Sequence, residues 1–405
     1  MRRLFQVFSF DLVSKAMLGV LGIVAIRYMS ESQYATYTFA LAVAAVVSQI
    51  LSASFNRVYV LAYQTLRLST EGASFLGLQL FIIAILAVVG LPFASELKGV
   101  YWLVFVLAAA TCLTEYAKTF YQQQLRFIRY SLVELVRSAI IFGGSFVLTW
   151  AVGFNLSAWH FLCVQTVAMI LVFWFSVGRN LHLKDIGHLR PAITLALKIA
   201  NGEFGYLFAY FFLLAIFAQI DVLMLKAFAY DVELATYGSA FRYYAILSLA
   251  LGSLHAVLLP MIERADSKQI AEMLSAHGRL TFAFALFLVP IAWFASWFMP
   301  MVDLGRYPNA PNVFRVLCVS AIISFACSPH VNIIFRHRRF RFLLILISIA
   351  LVLAILLNMI LIPRYGAIGV AVATLITSAT VTLPIYILSL RLNSEIYTNY
   401  ESESP

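Results

Sequence analysis

The sequence predicts an all-α membrane protein of about twelve transmembrane helices, arranged as two related halves of six. Of its 405 residues 63% are hydrophobic and 11% are charged, with a mean hydropathy of +0.92, whereas soluble domains carry roughly 25% charged residues. A short repeat supports the two halves: Ala-Thr-Tyr at 35–37 recurs at 235–237, and Glu31 is matched by Asp231. Both copies lie between apolar segments, a pattern typical of internally duplicated transporters.

Twelve apolar segments are long enough to cross a hydrocarbon core of about 30 Å, which takes roughly 20 helical residues. The predicted spans are 5–29, 36–63, 74–94, 100–121, 132–152, 159–177, 192–226, 237–260, 280–299, 313–334, 342–362 and 367–390. The seventh is longer than one span requires, so its first turns are expected to lie at the interface or to tilt. The predicted organisation is an N-terminal six-helix bundle at 1–178, a cytoplasmic link at 179–191, a C-terminal six-helix bundle at 192–391 and a polar cytoplasmic tail at 392–405.

The loop cations predict the orientation. When alternate loops are assigned to opposite sides, sixteen of the 28 Lys and Arg residues fall on one side and six on the other. The positive-inside rule then places both termini in the cytoplasm. The same bias accounts for the net charge of +10 without a nucleic-acid partner, and the basic cluster at 336–341 is interpreted as a topology anchor.

The loops leave no room for a catalytic domain. The longest, at 261–279, is about one helix, with Asp266 and Ser267 as its cap and an apolar stripe of Ile270, Met273 and Leu274 expected to lie on the membrane. The sequence contains no GxxxxGK[ST], HExxH, GxSxG or paired CxxC motif. Its four cysteines lie in apolar runs without close pairing. We therefore expect no enzyme activity, no metal and no cofactor.

Some ionisable residues inside the apolar segments have a structural explanation. Each such residue costs at least about 2.5 to 3.5 kcal/mol at mid-span, so it requires a partner, a cavity or water. The i, i+3 spacing predicts two ion pairs, Glu115 with Lys118 and Glu134 with Arg137. His255 and His330 are interpreted as hydrogen-bonded core histidines.

Four other cations are predicted to face a polar lumen and to bind substrate. They are Lys15, Arg57, Lys198 and Arg242. Small residues share a helix face with Lys15, which indicates close packing or a cavity wall. Because cations in a lumen attract phosphate or pyrophosphate, an anionic lipid headgroup is the natural substrate. The acids Asp11, Glu203 and Asp221 either offset these cations or carry a coupling ion, and Asp221 fits an interfacial cap equally well.

Four passages carry a resemblance to a known family. They are AIRYMSESQYATYTFALA, QIDVLMLKAF with ATYGSAFR and LLPMIER, DLGRYPNAPNVFRVL, and LNMILIPRYGAIGVAVATLI. They resemble the polysaccharide and O-antigen flippases of the multidrug, oligosaccharidyl-lipid and polysaccharide exporter superfamily. The resemblance implies two bundles around a central cavity, with cations at Lys15, Arg57 and Arg242 on the first, second and eighth helices. Relatives commonly carry arginine where Lys15 stands, and lysine lacks the bidentate fork that suits pyrophosphate.

The resemblance also implies a function in the bacterial inner membrane. A rocker-switch movement would carry undecaprenyl-pyrophosphate-linked oligosaccharide from the inner to the outer leaflet, for O-antigen, lipopolysaccharide, capsule or exopolysaccharide assembly. The implied partners are this lipid, membrane lipid, H⁺ or Na⁺ as coupling ion, and a polysaccharide polymerase. Three alternatives stay open: a multidrug cation antiporter of the same superfamily, a membrane-embedded glycan polymerase or ligase, and a non-transporting membrane partner.

Overall fold

The computed structural model describes residues 2–66, 72–97, 99–124, 126–152, 156–181, 189–200 and 204–403, and nearly all of them are helical. In chain order the α-helices are α1 (Arg2–Tyr28), α2 (Glu31–Leu66), α3 (Gly72–Val89), α4 (Tyr101–Gln123), α5 (Phe127–Val152), α6 (Ala158–Ser176), α7 (Leu189–Ala200), α8 (Phe204–Phe217), α9 (Ile220–Phe228), α10 (Asp231–Arg264), α11 (Ser267–Asp303), α12 (Ala310–Arg336) and α13 (Phe340–Glu403). Short 3-10 helices follow α3 and α6, at Leu91–Leu97 and Gly178–Asn180.

Each predicted span overlaps at least one helix, which confirms the all-α membrane fold. Within the described residues, seven helices are long and apolar enough to cross a membrane, or up to nine if each of two bent pairs is one span. Helix α13 covers both the eleventh and the twelfth predicted spans. They are separated by Gly366, whose backbone is not helical (φ 52°, ψ −131°). Because a positive φ is unfavourable for other residues, a glycine at this position permits the break.

Two predicted spans are bent. The third ends at Val89 and turns by 81° into the following 3-10 helix, where Gly90 and Pro92 disfavour a continued α-helix. The seventh comprises α7, α8 and α9, with a bend of 43° between α8 and α9. A broken segment explains why the seventh apolar run is longer than one span requires.

The helices form two compact units, Met1–Gly238 and Ser239–Pro405. In the first unit α2 packs against α4, α6, α8 and α9, and α1 packs against α5. The boundary between the units falls inside α10. Helices α8 and α9 belong to the first unit, because they pack against α2. The predicted division into bundles at 1–178 and 192–391 stays a prediction.

The internal repeat corresponds to the starts of α2 and α10. Helix α2 begins at Glu31 and α10 at Asp231, so each starts with a carboxylate at the positive end of the helix dipole. Matched residues that follow are all 7% exposed or less: Thr36 and Thr236, Tyr37 and Tyr237, and Ala40 and Ala240. The repeat therefore marks two helix starts with the same local structure.

In the second unit α12 packs against α11 and α13. Side chains there form hydrogen bonds with backbone groups at two helix ends. The Asp266 carboxylate accepts a hydrogen bond from the Gln269 backbone N–H at 2.8 Å, which confirms the predicted cap of α11. The Arg336 guanidinium donates to the carbonyls of Ile262 and Ala265 at 2.7 and 2.8 Å, near the end of α10. Arg336 therefore stabilises a helix terminus, a role that the topology interpretation did not include.

The prediction that the stripe Ile270, Met273 and Leu274 lies on the membrane is wrong. These residues belong to the start of α11, which continues without interruption into the ninth span. They form a hydrophobic cluster that includes Ile262 and Ile333. An apolar stripe at helical spacing suits a protein neighbour as well as a lipid surface, and the sequence alone does not distinguish the two.

Candidate functional site

An ionic network lies on α1, α4 and α5 of the first unit. Its members are Lys15, Glu115, Lys118, Glu134 and Arg137. The Lys118 ammonium lies 2.8 Å from Glu115 Oε1 and 3.5 Å from Glu134 Oε2, and Arg137 pairs with the other oxygen of Glu134. Both ion pairs predicted from i, i+3 spacing are confirmed. The contact between Lys118 and Glu134 joins them across α4 and α5, which the spacing could not indicate.

Lys15 joins this network from α1. Helix α1 packs against α5, and the half-buried Lys15 interacts electrostatically with Glu134. The side chains of Lys118, Glu134 and Arg137 are 14%, 11% and 13% exposed, so these charges lie where Coulomb interactions are stronger than in water. Lys15, Lys118 and Arg137 thus all interact with the same carboxylate, Glu134.

The packing of α4 against α5 positions the network. Tyr116, Tyr121 and Val133 belong to one hydrophobic cluster of the first unit. The Lys118 ammonium also lies 5.3 Å from the centroid of the Tyr130 ring, within the range of a cation–π interaction. Apolar contacts thus fix the register of the two helices, and that register places Lys118 opposite Glu134.

A second polar group joins α9 to the start of α10. The Tyr237 hydroxyl donates to Asp221 Oδ2 at 2.9 Å. The Lys226 ammonium lies 3.1 Å from Asp231 Oδ1 and 3.7 Å from Glu96 Oε2. Asp221 therefore has a structural partner across the hairpin. Lys226, on α9, contacts both the start of α10 and the 3-10 helix that follows α3. The ion-coupling role of Asp221 stays a prediction.

The remaining predicted site residues are distributed over both units. Arg242 is half-buried on α10 and belongs to the second unit, whereas Lys15 and Asp221 belong to the first. Three other predicted site residues lie on described helices, but their side chains are outside the described part of the structure: Asp11 on α1, Arg57 on α2 and Lys198 on α7. Glu203 lies entirely outside the described residues. That the four predicted cations line one cavity stays a prediction.

Two of the second unit's histidines whose side chains the structure describes are buried. His330 Nδ1 lies 2.6 Å from Ser389 Oγ, which confirms its interpretation as a hydrogen-bonded core histidine. His277, which was not predicted as a site residue, has its Nε2 2.8 Å from the carbonyl oxygen of Phe325. A sequence signal existed: Pro329 lies four residues after Phe325 and lacks the N–H that would bond this carbonyl in a helix. His255 lies outside the described side chains.

No protein-family model and no curated protein matches the chain. Solved structures do match over nearly its whole length. The lipid II flippase MurJ in an inward closed conformation superposes with a TM-score of 0.78 at 16% identity, covering 98% of this chain and 93% of that chain. An outward-facing multidrug resistance MATE family transporter of the MOP superfamily superposes with a TM-score of 0.62 at 12% identity, covering 98% and 96%. A MOP superfamily transporter from Pyrococcus furiosus gives 0.63 at 14% identity, covering 97% and 96%.

At these identities the likeness shows the fold. The chain is a multi-pass membrane protein with the fold shared by the lipid II flippase MurJ and MATE transporters of the MOP superfamily. These neighbours are named as a flippase and as transporters.

Proposed function

We propose that the chain is a flippase that moves undecaprenyl-pyrophosphate-linked oligosaccharide from the inner to the outer leaflet by alternating access, in the assembly of a surface polysaccharide. The observation that carries the proposal is the ionic network on α1, α4 and α5. There Glu134 is shared by Lys118 and Arg137 and interacts with Lys15. Cations inside apolar helices are suited to an anionic headgroup, which cannot cross the hydrocarbon core without assistance.

The charge of the network favours an anion over a cation as substrate. A cationic drug would meet Lys15, Lys118 and Arg137, which already interact with Glu134, so a further cation would be repelled. A pyrophosphate would instead add negative charge beside these cations. The likeness to a protein named as a lipid II flippase, with a TM-score of 0.78, supports the same choice.

The proposed binding groups are the cations Lys15, Arg57, Lys198 and Arg242. In the proposed cycle they hold the pyrophosphate while the two halves of the molecule expose it first to the cytoplasm and then to the outer side. Asp11, Glu203 and Asp221 are the proposed carriers of a coupling H⁺ or Na⁺. We place the chain in the bacterial inner membrane with both termini in the cytoplasm, where a polysaccharide polymerase would receive the flipped lipid.

A multidrug cation antiporter is the second candidate. It is supported by the likeness to MATE transporters, and Asp221, one of the acids predicted to carry a coupling ion, would interact with a cation. The two candidates differ in phenotype. Loss of an antiporter increases susceptibility to cationic drugs and leaves lipid-linked sugars unchanged, whereas loss of the flippase alters the lipid-linked sugars.

The test is the leaflet distribution of lipid-linked repeat units in cells that lack the gene. We expect repeat units to accumulate on the inner leaflet, and complementation with the wild-type gene to restore their outward movement. Lys15→Ala and Arg57→Ala should restore transport poorly. Arg338→Ala should restore it fully, because Arg338 is an exposed residue between α12 and α13. Unchanged outer-leaflet repeat units in the deletion strain would overturn the proposal, and equal defects in all three variants would refute the cationic lumen.

A further inference from the structure

We propose that the turn between α12 and α13 binds the headgroup of an anionic phospholipid such as phosphatidylglycerol, and that the exposed face of α13 holds one of its acyl chains. This lipid belongs to the surrounding bilayer and is distinct from the proposed substrate, so the site does not depend on the proposed function. A topology anchor requires only positive charge on one side of the membrane. A lipid site also requires apolar surface in a fixed position beside that charge.

Three arginines of the turn are exposed: Arg338, Arg339 and Arg341. Neither Arg338 nor Arg339 has a side-chain hydrogen bond or ion pair within the described part of the structure. The preceding Arg336, by contrast, uses its guanidinium on carbonyls near the end of α10. The guanidinium groups of Arg338 and Arg339 thus keep their donors for an acceptor outside the chain, and Arg is well suited to phosphate.

The helices that flank the turn provide no acid to offset these arginines. From Leu304 to Ser394 the sequence contains arginines but no Asp or Glu. Exposed charges on the neighbouring α11 balance one another, two acids against two cations: Asp266, Glu272, Lys268 and Arg279. At the end of α10 an acid also adjoins a cation, Glu263 beside Arg264, and their side chains lie outside the described part of the structure. The turn therefore has an excess of positive charge that favours an anionic partner.

The backbone fixes the turn that carries the arginines. Arg338 has a positive φ of 51°, a conformation that few residues other than glycine adopt. Its N–H donates to the Phe335 carbonyl at 3.0 Å, and the Phe340 N–H donates to the Arg338 carbonyl at 2.8 Å. The Arg339 N–H reaches back to the Ile334 carbonyl at 3.3 Å. Because the backbone is already ordered, binding a headgroup costs less conformational entropy than it would on a flexible loop.

An exposed apolar stripe continues from Arg341 along α13. Its members are spaced by three or four residues, which places them on one face of the helix, and each is more than half exposed: Ile345, Ile349, Val352 and Leu356. The opposite face is buried, with Leu343, Ile347 and Ala350 at 3% exposure or less, and α13 packs against α12. From Arg341 to Val352 the helix rises about 16 Å, roughly half of a hydrocarbon core of about 30 Å.

Charge and apolar surface together match the shape of a phospholipid. The arginines lie where a headgroup would be, and the stripe has the length of one leaflet. A zwitterionic headgroup would bring its own cation next to three arginines, so an anionic headgroup is preferred. A soluble acidic protein could reach the arginines, but it would leave the apolar stripe to lipid. In the proposed orientation the turn faces the cytoplasm, and the lipid would lie in the inner leaflet.

Photo-crosslinking tests the site. The wild-type chain is placed in nanodiscs of phosphatidylcholine that contain a small fraction of phosphatidylglycerol with a diazirine group on one acyl chain, and labelled peptides are identified by mass spectrometry. We expect labelling of the α13 segment from Ile345 to Leu356. Phosphatidylcholine with the same diazirine chain should label this segment at least ten-fold less. Since both probes have the same acyl chain, the difference reports the headgroup.

The arginines are tested by charge removal with a matched control. Each cation near an anionic lipid contributes about five-fold in affinity, so Arg338→Gln/Arg339→Gln/Arg341→Gln should lower labelling of α13 by phosphatidylglycerol at least ten-fold. The triple Lys variant keeps the charge and should retain most of the labelling. The control, Arg126→Gln/Arg129→Gln/Arg179→Gln, removes the same charge from the same predicted side in the first unit. There Arg129 and Arg179 lie 5.9 and 4.8 Å from the ring centroids of Tyr121 and Phe175, and labelling of α13 should stay unchanged.

Inorganic phosphate distinguishes a lipid site from a phosphate site. An excess of it should reduce labelling no more than chloride at equal ionic strength, because free phosphate lacks the chain that binds the stripe. Displacement by phosphate alone would overturn the assignment to a lipid. Equal labelling of α13 by the two lipid probes in the wild type would overturn the site, whether or not any variant folds. Equal losses in the α12–α13 variant and the first-unit control would show a general attraction of charge, and would also overturn it.

Discussion

Glu134→Ala is expected to be among the most destabilising substitutions in the first unit. The Glu134 side chain is 11% exposed and pairs with both Lys118 and Arg137, while Lys15 interacts with it electrostatically. Removing it leaves Lys118 and Arg137 without the carboxylate that they share. Breaking a largely buried ion pair by removing one partner costs about 3–5 kcal/mol, because the remaining charges lose their compensation. We expect a loss of that size in the free energy of unfolding.

Glu115→Ala is the matched control. Glu115 contacts the same Lys118, but its side chain is 32% exposed. An ion pair this accessible to solvent contributes about 1 kcal/mol or less. Glu134→Gln adds a second control, because it removes the charge and preserves the side-chain volume. It should retain most of the destabilisation of Glu134→Ala if electrostatics, rather than a cavity, is the cause.

The assay is equilibrium unfolding in lipid bicelles, at two salt concentrations. The difference between Glu134→Ala and Glu115→Ala should be about 2 kcal/mol or more, and salt should change it little because the side chains of Glu134, Lys118 and Arg137 are only 11%, 14% and 13% exposed. Equal losses for the two variants would refute the view that Glu134 is the shared counter-charge. If Glu134→Gln left the free energy of unfolding unchanged while Glu134→Ala lowered it, packing rather than charge would be responsible.

Further predictions concern close helix packing and helix ends, and each is measured by thermal unfolding. Gly238→Ala should cost about 1–3 kcal/mol, because a Cβ would lie 2.8 Å from Thr38 Oγ1, and Thr38→Ala should recover most of the loss. Gly369→Ala should be at least as costly, since its Cβ would lie 2.5 Å from a backbone carbonyl oxygen that no side-chain change removes. Arg336→Met should cost about 2–3 kcal/mol through two lost hydrogen bonds, and Arg338→Met should change stability by less than about 0.5 kcal/mol. A double variant Gly238→Ala/Thr38→Ala that is as unstable as Gly238→Ala alone would contradict the first assignment. Equal losses of stability in Arg336→Met and Arg338→Met would contradict the last.

Features that depend on residues near one another in the chain could be predicted from the sequence. Apolar length identified the helices, and matching residues identified two equivalent helix starts at Glu31 and Asp231. The Asp266 cap and the ion pair of Glu115 with Lys118 depend on spacings of three residues, which a helix brings together. Such short-range geometry is nearly independent of the rest of the fold.

Features that depend on which helices are neighbours could not be predicted. The contact of Lys118 with Glu134 needs the packing of α4 on α5, and the approach of Lys15 needs α1 beside α5. The bond from His277 to Phe325 joins residues 48 positions apart. The apolar stripe at the start of α11 was assigned to the membrane for the same reason, because hydrophobic periodicity specifies a buried face without specifying its partner.

In the proposed function the chain moves a pyrophosphate-linked lipid between leaflets. The most direct measurement is the flipping rate in proteoliposomes of a fluorescent undecaprenyl-pyrophosphate disaccharide, compared with a probe of the same chain and sugar that lacks the phosphates. We expect the purified wild-type chain to flip the pyrophosphate probe, to flip the neutral probe far more slowly, and Lys15→Ala to slow the first rate towards the second. Equal rates for the two probes, or no flipping of either, would contradict the proposed function.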